Sequence, residues 1–226
     1  MKFKVCNEGD YNWIEVSLEP IDDSSLVPKI KKKARIVSQK VNPKNLGREI
    51  RGDADKYIHC LSGIFAEEVI KAYLKEFGKN ADLEIIEEEF NTYDDHVDVK
   101  IKINKKEKTI EVRSSLQYKK PIGVHRIINE WTLIGTYIHG SKRQEKIKDF
   151  HITVIYQCKP EDFEHNLDVF NVETIIAGGV SRDNLARYGK EVSRELKQEG
   201  VRYFGVRPIN SAPKDTINLF KEILEI

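Results

Sequence analysis

The chain has 226 residues, 33% of them charged and 39% hydrophobic, and its 38 Lys and Arg against 37 Asp and Glu give a net charge of +1. That length makes one large domain or two small ones with a sizeable buried core, and the composition is that of a soluble globular protein, without the long apolar run a membrane span requires. The opening residues MKFKVCNEGD hold no apolar signal core, so a cytoplasmic location without a membrane partner is expected.

In chain order, residues 3–5 and 13–18 read as a hairpin joined by the turn cluster Asn7-Glu8-Gly9-Asp10. Residues 28–51 are basic and interrupted by Pro28, Pro43 and Gly47; a DNA-contacting arm and a loop over the core both suit them. A helix is predicted from Asp53 or Asp55 to Phe77, stopped by Gly78, because Tyr57, Leu61, Ile64, Phe65, Ile70, Tyr73, Leu74 and Phe77 form a helical stripe. Gly63 either permits close packing there or divides the helix. Residues 83–90 suggest a strand. Val97, Val99, Ile101 and Ile103 alternate as the next, with Asp98, Lys100 and Lys102 on its other face. A turn over 104–107 leads to a return strand over 109–114.

Pro121 ends that unit. A second helix is predicted over 125–138 from Ile127, Ile128, Trp131, Ile134 and Ile138. Strands follow over 150–157 and 173–177, the latter ended by Gly178-Gly179. Ser181 suits the cap of a helix reaching about Gln198, residues 201–206 form a strand, and Asp215 caps a last helix over 216–226. The order predicts an α/β fold, a central mixed β-sheet flanked by helices, as one domain over 1–226. Within it the hairpin and basic arm occupy 1–52, the core 53–157 and a strand-helix-strand unit 158–226.

Cys6, Cys60 and Cys158 are dispersed, and the six histidines form no HxH or HxxxH pair, so reduced thiols and no zinc site are expected. A net charge near zero neither demands nor forbids a nucleic-acid partner, since a DNA enzyme needs positive charge in one groove only. The chemistry concentrates in Asp94 to Ser115, DDHVDVKIKINKKEKTIEVRSS. Side chains alternate faces along a strand, so Glu111 and Arg113 share a face while Ile110 and Val112 point into a core. Two carboxylates on paired strands with a cation beside them can hold a divalent metal against a phosphodiester. An exposed polar face of an amphipathic hairpin carries the same residues, and that reading stays open.

The pattern resembles the PD-(D/E)XK nuclease superfamily, the fold of most type II restriction endonucleases. Asp98 matches the first acid, Glu111 the second, and Arg113 stands where the family has Lys. Upstream, residues 62–78, SGIFAEEVIKAYLKEFG, look like the first core helix, in which Glu67 matches a glutamate directed at the metal. The resemblance covers about the middle third of the chain. It implies a Mg²⁺-dependent endonuclease cutting double-stranded DNA at a fixed sequence, with one or two Mg²⁺ held by Asp98, Glu111 and the carbonyl of Val112, and with Glu67 on a metal-bound water or second ion. It further implies a homodimer, one subunit per strand.

Arginine cannot give up a proton near neutral pH, which leaves three readings. Arg113 clamps a phosphate, or Lys100, on the face of Asp98, supplies the ammonium, or the site binds without cutting. A structure-specific DNA or RNA nuclease of the same fold is the alternative activity. His96 is near enough in sequence to assist as a base. Ser114, Ser115, Gln117 and Tyr118 follow the motif as phosphate contacts. Base reading needs side chains that reach base edges, and Arg182, Asn184 and Arg187 head a tract rich in them that continues through Arg194, Arg207, Asn210 and Ser211. A plain surface helix with an Asp183–Arg187 pair suits that tract equally.

Overall fold

The structure is a computed structural model that describes residues 1–40, 52–87, 98–117, 122–130, 132–138, 147–192, 202–206 and 216–226. It is an α/β fold built on a mixed seven-stranded sheet, with strands β1 (Lys2–Glu8), β2 (Tyr11–Ser17), β3 (Leu83–Ile86), β4 (Val99–Ile103), β5 (Lys106–Ser115), β7 (Phe150–Tyr156) and β8 (Thr174–Ser181) in the order β1-β2-β8-β7-β5-β4-β3. β5 and β7 run parallel and the other pairs antiparallel. A second sheet joins β6 (Leu133–Ile138), β10 (Arg202–Val206) and β9 (Lys190–Val192). No helix among the described residues is long and apolar enough to cross a membrane.

Helix α3 (Asp53–Phe77) lies between β4 and β5 of the sheet on one side and α2 and α5 on the other, so that its apolar residues Leu61, Phe65, Val69 and Ile70 are at zero exposure. Gly78 closes it by donating its N–H to the Leu74 carbonyl at 2.8 Å. The helix is continuous through Gly63, where a Cβ would meet nothing within 4 Å, so that glycine neither divides the helix nor permits a close approach. After the short α1 (Pro20–Asp23), most of the basic segment is itself a helix, α2 (Leu26–Lys40). Val27, Ile30 and Ala34, spaced three and four apart, are buried against α3. Pro28 falls in the first turn, where its missing N–H costs nothing. Residues 41–51 lie outside the described residues.

α2, α3, α5 (Pro160–Asp168) and α7 (Thr216–Leu224) pack with one face of the large sheet in a core that includes Phe65, Tyr156, Phe163 and Phe220. The other face is covered by α4 (Val124–Glu130) through Ile127 against Trp13, Ile155 and Ile175, and by α6 (Arg182–Tyr188) and the small sheet through Leu185 and Val206 against Val180.

Four expectations need correction. The helix expected over 125–138 ends at Glu130, and 133–138 is β6, paired with β10. The apolar positions fit a helical period, but Thr136 and Tyr137 are strand formers. Gly135 also lets Leu185 approach so closely that a Cβ would lie 2.3 Å from its Cδ2. Strand β8 runs through Gly178-Gly179 instead of ending there; the register with β7 shifts between Thr153 and Val154, and Gly178 takes φ 131°, a bulge only glycine accommodates. α6 stops at Tyr188 and gives way to β9, so the helix that starts after Ser181 does not run on as expected, and Gln198 lies outside the described residues. Ser181 stands at its N-cap position without a side-chain capping bond. α5 is an element the sequence reading missed, although Pro160 at its start and Glu161-Asp162 in its first turn are helix-start signals.

A Cβ on Gly179 would lie 2.3 Å from the His151 carbonyl oxygen and 2.7 Å from Leu219 Cδ2. Gly179→Ala is therefore expected to lower stability by about 2–3 kcal/mol, while Gly63→Ala, in open space within a helix, raises it by about 0.5–1 kcal/mol. Urea midpoints of the two variants moving in the same direction would contradict this placement.

Candidate metal centre

The β4–β5 hairpin is set by a two-residue turn, Asn104 and Lys105, with φ of 48° and 67°, tighter than the four-residue turn expected. That turn fixes the register Val99↔Ile110 and Lys100↔Thr109, and one step further sets Asp98 opposite Glu111. The β4–β5 ladder ends there, whereas β5 continues beside β7 as far as Ser115↔Ile155. Asp98 covers the next exposed donor of β5: its Oδ2 accepts the Val112 N–H at 2.7 Å. Ile110 and Val112 are buried in the core, as the alternation predicts. Glu111 and Arg113 lie together on the opposite face, joined by an ion pair of 3.1 Å with about a fifth of each side chain exposed (17% and 21%). Glu67 comes from α3, is 7% exposed, and receives the Lys33 ammonium from α2 at 3.0 Å.

Burial raises the Asp98 pKa well above the usual carboxylate range, and the charges of Glu111 and then Glu67 push it further. The Val112 N–H and the Arg113 guanidinium act in the opposite sense without overcoming them. The carboxyl sits where negative charge is poorly tolerated, so positive charge there, a proton or a cation, is favoured. Among the described residues no group of three or more His, Cys, Asp or Glu side chains has metal-holding geometry. Glu67 is therefore not a third direct ligand as it stands. Two carboxylates and a backbone carbonyl, with water and phosphate in the remaining positions, nevertheless make a hard oxygen donor set that suits Mg²⁺.

The other expected residues are less well grouped. Lys100 pairs with Glu107 at 3.1 Å, on the side of the hairpin turn. Ser114 faces α3, its hydroxyl 3.4 Å from that of Ser62. Gln117 is 5% exposed, donates its amide to Gln157 at 2.8 Å and accepts the Ile122 N–H at 2.6 Å; it brackets two loops and is not presented to a ligand. Arg182 is tied to Asp149 at 2.8 Å and to the Ile147 carbonyl at 3.2 Å. Arg187 is exposed with its guanidinium over the Tyr188 ring, and Asn184 is half-buried. His96, Tyr118, Arg194, Arg207, Asn210 and Ser211 lie outside the described residues.

Two residues at the site went unnoticed in the sequence. Lys33 was one cation in a basic run, with nothing to single it out. His151 sits directly beside Glu111 on β7, 3% exposed. Burial and the charges of Arg113, Lys148 and Arg182 hold its pKa down at about 3. The Lys148 carbonyl weakly opposes that shift, but among the described residues neither ring nitrogen has a partner in hydrogen-bond geometry. The β5–β7 pairing that brings it there joins strands 40 residues apart in a parallel sense, which no local pattern announces.

No family model matches the chain, and no solved structure matches it either. It is similar to the uncharacterized protein MJECS01 of Methanocaldococcus jannaschii, with 28% identity over 256 aligned positions that cover 98% of this chain and 90% of that protein.

Proposed function

We propose that this protein is a Mg²⁺-dependent endonuclease of the PD-(D/E)XK type that hydrolyses double-stranded DNA at a fixed sequence, in the manner of a type II restriction enzyme. The observation that carries the reading is Asp98: a carboxyl fastened to the Val112 N–H, opposite Glu111, with its pKa driven up by burial and by two further acids. A fold keeps carboxylates in such mutual repulsion at a functional site more often than elsewhere. When bound, Mg²⁺ neutralises phosphate charge and makes its bound water nucleophilic near neutral pH. Asp98, Glu111 and the Val112 carbonyl hold the ion, Glu67 orients its water, and Arg113 clamps a phosphate oxygen of the scissile strand. Because Arg113 holds its proton throughout, its part is electrostatic. A cytoplasmic two-fold dimer, one site per strand, completes the proposal.

The test is incubation of plasmid DNA with purified protein and Mg²⁺, alongside nicked, branched and single-stranded substrates. Discrete fragments are expected, absent with EDTA and in Glu111→Ala. Nicking that follows DNA structure and not sequence would shift the reading to a structure-specific nuclease, and intact DNA on every substrate would end it. One observation favours a module that binds without cutting: the Arg113–Glu111 ion pair already satisfies one of the two acids. In that case Arg113→Lys still binds DNA and neither form cuts.

A further inference from the structure

Six of the 15 residues of α2 are basic (Lys29, Lys31, Lys32, Lys33, Arg35 and Lys40) and none is acidic, whereas in the rest of the chain the acids outnumber the bases. Like charges a turn apart with no acids between them weaken a helix, so fold stability does not account for the pattern. The buried positions Val27, Ile30 and Ala34 define the packing face. Lys31 and Lys33 border it on either side and reach down to acids of other helices: Lys31 to Glu164 at 2.8 Å and Asp168 at 2.9 Å on α5, Lys33 to Glu67 at 3.0 Å on α3. At 100° per residue, Lys29 and Lys32 lie on the ridge opposite the packing face, with Lys40 and Arg35 on its two flanks, and all four are exposed.

We propose that this ridge seats the phosphate backbone of double-stranded DNA, an inference that rests on the nucleic-acid substrate proposed above. From Lys29 to Lys40 the ridge runs roughly 16 Å along the helix axis at 1.5 Å per residue, about five steps of a DNA strand. Ile36 is the exposed large apolar residue of the helix, so α2 has no apolar face to bury in a lipid surface. The assignment moves the DNA-contacting role from α6, where Arg182 is already engaged, to α2.

The test measures binding of a fluorescein-labelled duplex by the full-length protein in EDTA, by anisotropy, from about 50 to 200 mM KCl. Each phosphate contact contributes about 0.9 to the slope of log K against log salt. The triple variant Lys29→Ala, Lys32→Ala, Arg35→Ala is expected to flatten that slope by about 2–3 and to keep its circular dichroism, since alanine is the best helix former. The control Lys2→Ala, Lys4→Ala, Lys79→Ala removes equal charge elsewhere and is expected to keep the wild-type slope. An unchanged slope in the α2 variant, an equal loss in the control, tighter binding to single-stranded RNA or to phosphatidylserine vesicles, or no duplex binding at all would each overturn the proposal. Duplex binding that loses its slope in the α2 variant while no DNA is ever cut upholds this inference and removes the nuclease reading; cut plasmid with an unchanged slope does the reverse.

Discussion

Asp98→Asn is expected to lose DNA cleavage by about 10³-fold and, in metal-free buffer at mildly alkaline pH, to melt higher than the wild type. The two effects share one cause. The carboxyl is buried beside Glu111 and Glu67, and its ionised form is unfavourable there. An amide oxygen still accepts the Val112 N–H, so the substitution removes the charge and keeps the bond. Gains from relieving such a site are on the order of 1–2 kcal/mol, a few degrees of Tm at this chain length. The pH dependence follows from the raised pKa. The folded state holds this proton more tightly than the unfolded chain, so wild-type stability declines as pH rises from the ordinary carboxylate range through the folded-state pKa and levels off above it. The variant lacks that decline. Urea unfolding of both proteins across pH separates the outcomes: identical profiles would mean that Asp98 carries no electrostatic strain, and full cleavage by the variant would remove Asp98 from the reaction.

This coupling of strain and function explains what the sequence disclosed. The alternation through Val99, Ile101 and Ile103 and the frame of Ile110 and Val112 are local, and two strands joined by a short turn leave little choice of register. The face shared by Glu111 and Arg113 was therefore legible, as was α3 from its stripe and its terminal Gly78, whereas the turn expected over 104–107 would have set Asp98 opposite Arg113, and the tighter Asn104–Lys105 turn sets it opposite Glu111. What failed depended on distant partners. Residues 133–138 satisfied a helical period and became a strand because β10 pairs with them. Gly178 and Gly179 looked like a strand end and instead form a bulge pressed against the His151 carbonyl and α7. Gln117 and Arg182 were chosen for side-chain chemistry alone, and their engagement with Gln157 and Asp149 depends on contacts that propensity does not encode.

His151 gives the second large effect, on stability in acid. Its pKa falls from 6.5 to about 3 in the fold, first because burial strips the imidazolium of water and then because Arg113, Lys148 and Arg182 surround it with positive charge. Between those two values the unfolded chain binds a proton that the native protein refuses, so stability is lost as pH falls, by about 1.4 kcal/mol per pH unit. Lowering pH from 6.5 to 5 should thus cost the wild type about 2 kcal/mol beyond what its other groups contribute. His151→Gln keeps a polar side chain that does not titrate, and its profile is expected to lie flat relative to the wild type over that interval. Parallel urea midpoints for the two proteins at both pH values would show that the imidazole is not held neutral. Of the cations that exclude a proton from His151, Arg113 stands beside Glu111 on the same face of the sheet, where the proposed reaction would bring a phosphate. Inorganic phosphate is therefore expected to lessen the acid loss in the wild type and to leave the His151→Gln profile unmoved.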